Sequence, residues 1–298
     1  LYEIYEEEGY APSDIPSLIL KHNLYGMEID ERAASLAAFA LTMKARSRSR
    51  RFFKKQVEPN IQRIAPIAFK EDEVVELNDL YQVNLDSTVW NTYAKADVYG
   101  SLIQPPQELV ELAASAPESA DDINTLFDPL LREHAEDVFA QTRYLARRYA
   151  AVVANPPYMG AKNMSSELKQ FVQDHYEDGK ADLFAAFIMR NRQFLRHDAM
   201  LGMITMQSWM FLSSFEDLRR NLLASSAIET MSHLGAGAFD SIGGEVVSTN
   251  AFTLKNSPSS GKGIYIRLVD VSGDSNQADA CAEAINGDAN YRFEVDQH

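Results

Sequence analysis

Tyr149-Ala-Ala-Val-Val-Ala154 runs directly into Asn155-Pro156-Pro157-Tyr158, and the fold is read outward from this junction. An unbroken apolar run of strand length predicts a central parallel strand covered on both faces rather than a half-exposed edge. The two prolines then end it, because each fixes φ at about −65° and lacks the N–H that a ladder needs. Upstream, His22–Ile29 reads as a strand. Arg32–Met43 follows as a helix whose small and aliphatic residues, at helical spacing, suit packing on a sheet. Ile64–Phe69 and a largely helical Pro105–Arg148 lead back to the central run.

Downstream, Asp182–Arg196 and Phe215–Ser225 read as helices around a buried strand, Met200–Met206. Ala227–Leu234, Glu245–Leu254 and Gly263–Val269 read as three further strands joined by glycine-containing turns. Alternation of this kind predicts the α/β class with a doubly wound, mostly parallel sheet. Part of it should be antiparallel where the last strands follow one another without helices. Ligands of such sheets bind beyond the carboxyl ends of the strands, which is where Asn155 stands.

The 298 residues suffice for one large or two modest domains with a proper core. The chain opens on Leu1 as though inside a helix, which suggests a fragment. The expected division is one partial catalytic domain over 1–256, then a connector rich in Ser, Pro and Gly (Asn256–Gly263) and the start of a following region over 257–298. No apolar stretch approaches the roughly 20 residues of a membrane span, and the acidic Leu1–Tyr10 lacks the basic start of a signal peptide. A single cysteine, Cys281, excludes an internal disulfide framework and a cysteine-based zinc cluster, and suits a reducing cytoplasm. No group of His, Asp or Glu shows metal-ligand spacing. A net charge of −15 is the wrong sign for a stand-alone nucleic-acid-binding domain. Either nucleic acid is not the partner, or a basic module elsewhere grips it.

The chemistry is concentrated in Asn155–Tyr158. An exocyclic aromatic amine delocalises its lone pair into the ring, so it attacks a sulfonium methyl group poorly. Two acceptors that receive its hydrogens favour a tetrahedral nitrogen with the pair aimed at the methyl. Asn155 offers a side-chain carbonyl and Pro156 a backbone carbonyl. Pro157 keeps Pro156 extended. Tyr158 supplies a flat face for the heterocycle, a stacking contact worth roughly 1–3 kcal/mol. A base inside a duplex would have to be flipped out to reach the loop. A Pro-Pro turn that merely ends a strand is the bland alternative.

From Tyr149 to Asn256 the sequence resembles the gamma class of amino-methyltransferases, the large adenine-specific DNA methyltransferases. Asn155-Pro-Pro-Tyr-Met-Gly160, Ala181-Asp-Leu-Phe184, Met206-Gln-Ser-Trp-Met-Phe211 and Ala238-Phe-Asp-Ser-Ile-Gly-Gly-Glu-Val-Val-Ser248 are closer still to the methyltransferases of the BREX phage-defence systems, the PglX-like family. The resemblance implies a Rossmann-like fold and S-adenosyl-L-methionine as cofactor. It also implies methyl transfer to N6 of adenine in double-stranded DNA, in a restriction-modification setting with other defence-system proteins as partners. Asn23-Leu-Tyr-Gly-Met-Glu-Ile-Asp30 looks like the second cofactor strand, whose acid, Glu28 rather than Asp30, holds the ribose hydroxyls. Ala96-Asp97-Val-Tyr-Gly-Ser-Leu-Ile103 resembles the motif whose acid, Asp97, accepts from the cofactor's adenine amine; a plain cap or turn is the alternative. Leu183 and Phe187, four apart on one helical face, match positions that pack the cofactor adenine, or are core.

The family's Gly-x-Gly cofactor loop would be expected just before Leu1, and its target-recognition region after His298. The tetrapeptide also serves protein-glutamine and cytosine-amine methylation, and a non-catalytic DNA-binding subunit is a further reading. The basic run Arg46–Lys55 suits a solvated helix end, and Gly235–Gly244 lacks a phosphate-loop Lys-Ser/Thr pair. Trp209 and Phe211 suit core or pocket wall.

Overall fold

The computed structural model describes residues 1–116, 129–235, 248–258, 261–271, 274–287 and 291–296. They form two compact units, Leu1–Arg147 and Arg148–His298.

The first unit contains α1 (Tyr2–Glu7), α2 (Ile15–Leu18), β1 (Tyr25–Glu28), α3 (Glu31–Arg48) and β2 (Asn60–Arg63). These lead into five helices: α4 (Glu71–Tyr81), α5 (Ser87–Trp90), α6 (Ala96–Tyr99), α7 (Gln107–Ser115) and α8 (Pro129–Ala146). β1 and β2 pair in parallel, Tyr25 opposite Asn60 and Glu28 opposite Arg63. β1 is shorter than the expected His22–Ile29. Ile19–Asn23 closes a wide turn in which Leu24 N donates to the Ile19 carbonyl at 3.2 Å, so the chain extends only beyond it. The second strand, Asn60–Arg63, ends just before Ile64–Phe69. That segment instead bonds outward, Ile67 N to the Tyr93 carbonyl and Phe69 N to Asn91 Oδ1. α3 forms where expected, but only Ala34 and Ala45 are buried along it, while Leu36 and Phe39 are exposed. The core of this unit is aromatic: Trp90, Tyr93 and Phe139 are fully buried, with Phe69 and Tyr81 packed edge-on to them.

The second unit contains β3 (Tyr149–Ala154), α9 (Ser166–His175), α10 (Leu183–Gln193), β4 (Leu195–Met206) and α11 (Glu216–Ser225). β5 (Ala227–Gly235), β6 (Thr249–Lys255), β7 (Lys262–Arg267), α12 (Asp274–Ile285) and β8 (Arg292–Asp296) complete it. Its six-stranded sheet has the order β3-β4-β6-β5-β7-β8. β3/β4 and β5/β7 are parallel, whereas β6 runs antiparallel to both its neighbours and β8 to β7. The fold is therefore α/β with a mixed sheet, and its antiparallel part is larger than the sequence suggests, because β6 inserts between two parallel pairs. By this register the carboxyl ends of β3, β4, β5 and β7 share one end of the sheet. The expected strand over Glu245–Leu254 begins at Thr249; residues 245–247 lie outside the described residues.

One expectation is corrected. β3 stands at the end of the sheet order, not at its centre, and Val153 is 85% exposed. Within this unit β4 pairs with it, and uniform apolarity does not reveal which strands flank a segment.

β4 alternates: Leu201 and Met203 are buried, while Gly202 and Ile204 face the other side. The buried face meets α10 and α11 through Phe184, Ala185, Ile188, Leu218 and Leu222, joined by Phe252 and Leu254 of β6. Gly179 lets the turn before α10 come close. A Cβ there would lie 2.6 Å from Ala186 N and 2.8 Å from the Ala185 carbonyl carbon, both rigid backbone. Gly179→Ala is therefore expected to lower stability by about 1–3 kcal/mol, read as a reduced melting temperature. Among the described residues no helix is long and apolar enough to cross a membrane.

Candidate active site

The loop Asn155–Tyr158 leaves the carboxyl end of β3 as expected for a strand capped by prolines. Asn155 and Pro157 are exposed, Pro156 is buried and Tyr158 is half-buried. The single hydrogen of the Tyr158 hydroxyl is shared between two acceptors, Asn155 Oδ1 at 3.3 Å and the Ile204 carbonyl at 3.4 Å. The Tyr158 ring meets Phe184 edge-on at 6.3 Å between centroids and packs against the core under α10. Burial raises the Tyr158 phenol above its ordinary value, so the hydroxyl stays protonated and donates. The side-chain carbonyl of Asn155 thus faces outward with a tyrosine hydroxyl on it. Beyond Asn155 an open groove of about 450 Å³ crosses the sheet, lined by Val153, Ile204, Ser232, Ala251 and Thr253.

The next residues are tied to the start of α10. Gly160 and Asp182 form an antiparallel bridge. Ala161 N donates to the Ala181 carbonyl and Leu183 N to the Met159 carbonyl, each at 3.0 Å. Burial pushes the Asp182 carboxyl above its ordinary value, and the N–H groups of Met159, Phe184 and Leu183 pull against that rise. Leu183, 6% exposed, and the half-buried Phe187 follow on α10, with Phe187 packed against the core.

The turn after β4 is also held firmly. Trp209 Nε1 donates to Thr205 Oγ1 at 3.1 Å. The Asn250 amide nitrogen donates to the Thr205 and Met206 carbonyls at 3.2 and 3.3 Å. The Arg219 guanidinium donates to the carbonyls of Trp209 and Leu212, both at 2.7 Å. Trp209 is core, but Phe211 is 60% exposed and is not. Most of the Ala238–Ser248 motif lies outside the described residues.

In the first unit, Glu28 ends β1. Its Oε1 accepts from Ile29 N at 2.8 Å and Asp30 N at 3.0 Å, and Oε2 has no protein partner among the described residues. Asp30 caps α3 by accepting from Ala33 N at 2.8 Å. Each acid thus engages one oxygen locally, Asp30 Oδ1 for the helix and Glu28 Oε1 for the turn before it. Asp97 lies exposed in the first turn of α6. Gly100, at φ +51°, turns the end of α6 back toward β1, where a Cβ would sit 3.7 Å from Ile29 Cδ1. Glu28 and Asp97 therefore belong to neighbouring segments of one unit.

Much of the basic run is engaged locally. Lys55 Nζ donates to Asp14 and to the Ser13 carbonyl, Arg46 stacks over Phe53 and Arg48 over Tyr2. Among the described residues no group of three or more His, Cys, Asp or Glu could hold a metal ion.

Comparison with known proteins gives this geometry a family. The chain is 39% identical to the adenine-specific methyltransferase BrxX of Escherichia coli O9:H4 (strain HS), over 91% of this chain and 25% of that protein. It is 32% identical to the adenine-specific methyltransferase PglX of Lacticaseibacillus casei (strain Zhang), over 100% of this chain and 26% of that protein. The chain thus spans about a quarter of the length of these curated relatives. Among solved structures, a nuclease-deletion mutant of the Type ISP restriction-modification enzyme LlaGI, with a DNA substrate mimic, matches with a TM-score of 0.57 and 15% identity. That match covers 99% of this chain and 22% of that mutant chain. The ATP-dependent Type ISP enzyme LlaBIII, bound to DNA, gives 0.56 at 13% identity over 99% of this chain and 18% of its own. These two likenesses support the fold. Residues 22–239, most of the chain, match the family model, and the chain belongs to the Eco57I restriction-modification methylase family.

Proposed function

We propose that the intact protein is a DNA adenine methyltransferase. It transfers methyl from S-adenosyl-L-methionine to the N6 amine of adenine in double-stranded DNA, with the target base flipped out. It acts in the cytoplasm, in a phage-defence system alongside other proteins of that system. The observation that carries the reading is the exposed Asn155 carbonyl at the end of β3, in a loop stiffened by Pro156 and Pro157. The names of the two relatives support adenine as the substrate.

In this reading Asn155 Oδ1 and the Pro156 carbonyl each accept one hydrogen of the target amine. That turns its lone pair out of the ring plane and toward the donor. S-adenosyl-L-methionine supplies an electrophilic methyl group when bound. The residues present fit it: Glu28 keeps Oε2 for the ribose hydroxyls, and Asp97 offers an exposed carboxylate to the adenine amine. By the family resemblance Leu183 and Phe187 would pack the cofactor's adenine. Tyr158 exchanges its bond to Asn155 for stacking on the target base. Tyr158→Phe is then expected to lower transfer less than about tenfold, since one modest hydrogen bond is lost. Tyr158→Ala removes the stacking face as well, worth roughly 1–3 kcal/mol, and is expected to cost far more.

The charge of −15 favours one competing substrate class, protein rather than DNA. Incubating the intact protein with methyl-labelled S-adenosylmethionine, plasmid DNA and a cell extract separates the two. Label in DNA is expected; label in protein with none in DNA would overturn the reading.

A further inference from the structure

Asp182 lies where two segments with different tasks meet. Its Oδ1 accepts from Met159 N, the residue directly after Tyr158, at 3.0 Å, and from Phe184 N in the first turn of α10 at 3.4 Å. It is half-buried, within the Gly160–Asp182 bridge. The shorter contact is to the loop, so an ordinary helix cap does not account for the arrangement. The geometry points to Asp182 as a positioning residue for methyl transfer, which fixes the Asn155–Tyr158 loop against the helix that carries Leu183 and Phe187. This rests on the proposed methyltransferase reading.

The physical basis is reach. Preorganised acceptors work only if they are held where the amine arrives, and a displacement of about 1 Å far from the chemistry can cost on the order of 100-fold. Pro156 and Pro157 stiffen the loop internally but donate no hydrogen bond that could anchor it. The Met159 N–H is the first donor after Tyr158 to be anchored outside the loop, by a side-chain oxygen at the other end of the Gly160–Asp182 bridge.

Asp182→Ser separates clamping from capping. Serine caps helices well, but its oxygen sits one bond closer to the backbone and leaves Met159 N behind. In the intact protein, Asp182→Ser is expected to keep its melting temperature and its KM for S-adenosylmethionine. Its kcat should fall by about 10–100-fold, and amide exchange at Met159–Ala161 should accelerate at least about tenfold. Asp182→Asn, which retains an acceptor of the same length, should recover kcat to within about threefold of wild type. Wild-type kcat and unaltered exchange in Asp182→Ser would overturn the inference, as would an Asn variant as impaired as the Ser variant. A wild-type protein that transfers no methyl to adenine would count against the proposed function, while the exchange measurement would still decide the clamp.

Discussion

Replacing Asn155 by Ala is expected to lower methyl transfer by about 100–1,000-fold, the range seen when one preorganised hydrogen-bonding group is removed from a reacting centre. The side chain is exposed, and in the protein its carbonyl contacts only the hydroxyl of Tyr158 among the described residues. Truncation should therefore leave the fold and the melting temperature nearly unchanged. The proposed function assigns the cofactor to Glu28, Asp97, Leu183 and Phe187, so affinity for S-adenosylmethionine should also hold within about twofold, since no hydrogen bond to it is removed. Calorimetric titration beside single-turnover transfer distinguishes this from general damage. A variant with full turnover would remove the loop from the mechanism.

Glu28→Ala should do the reverse. A hydrogen bond to a charged group contributes about 1.5–3 kcal/mol, so losing the carboxylate should raise the dissociation constant for S-adenosylmethionine about 10–100-fold. Turnover at saturating cofactor should stay close to wild type. The same substitution frees the N–H groups of Ile29 and Asp30 that Oε1 now receives. Glu28→Gln keeps an acceptor for that turn, and controls for its loosening. An unaltered dissociation constant in Glu28→Ala would refute the ribose assignment.

What could be read from the sequence divides along physical lines. Asn155–Tyr158 was legible because its features are local: a strand-length apolar run, two residues that cannot continue it, and a carbonyl-bearing side chain at the break. The choice of Glu28 over Asp30 came from resemblance alone. What the residues themselves carry is the helix start, the cap bond from Asp30 to Ala33 N being signalled by the Asp30-Glu31 junction. The location of β3 in its sheet was not legible, because pairing partners lie far along the chain: Val152 sits opposite Leu201. The exposure of Phe211 escaped for a related reason. The turn that presents it is fixed by Arg219 and Thr205, and neither neighbour marks that ring as outward-facing. Asp182 stood in a recognised motif, and an acid before a helix signals a cap. Its second partner, Met159 N, is 23 residues away and visible only in three dimensions.

The proposed function rests on this loop presenting the exocyclic amine of adenine for methylation. Nucleoside-resolved mass spectrometry tests it most directly, on DNA treated with the intact wild-type protein and with the Asn155→Ala variant in parallel. N6-methyladenine is expected with the wild type and its loss with the variant. N4-methylcytosine in its place, or N6-methyladenine formed equally by both proteins, would contradict it.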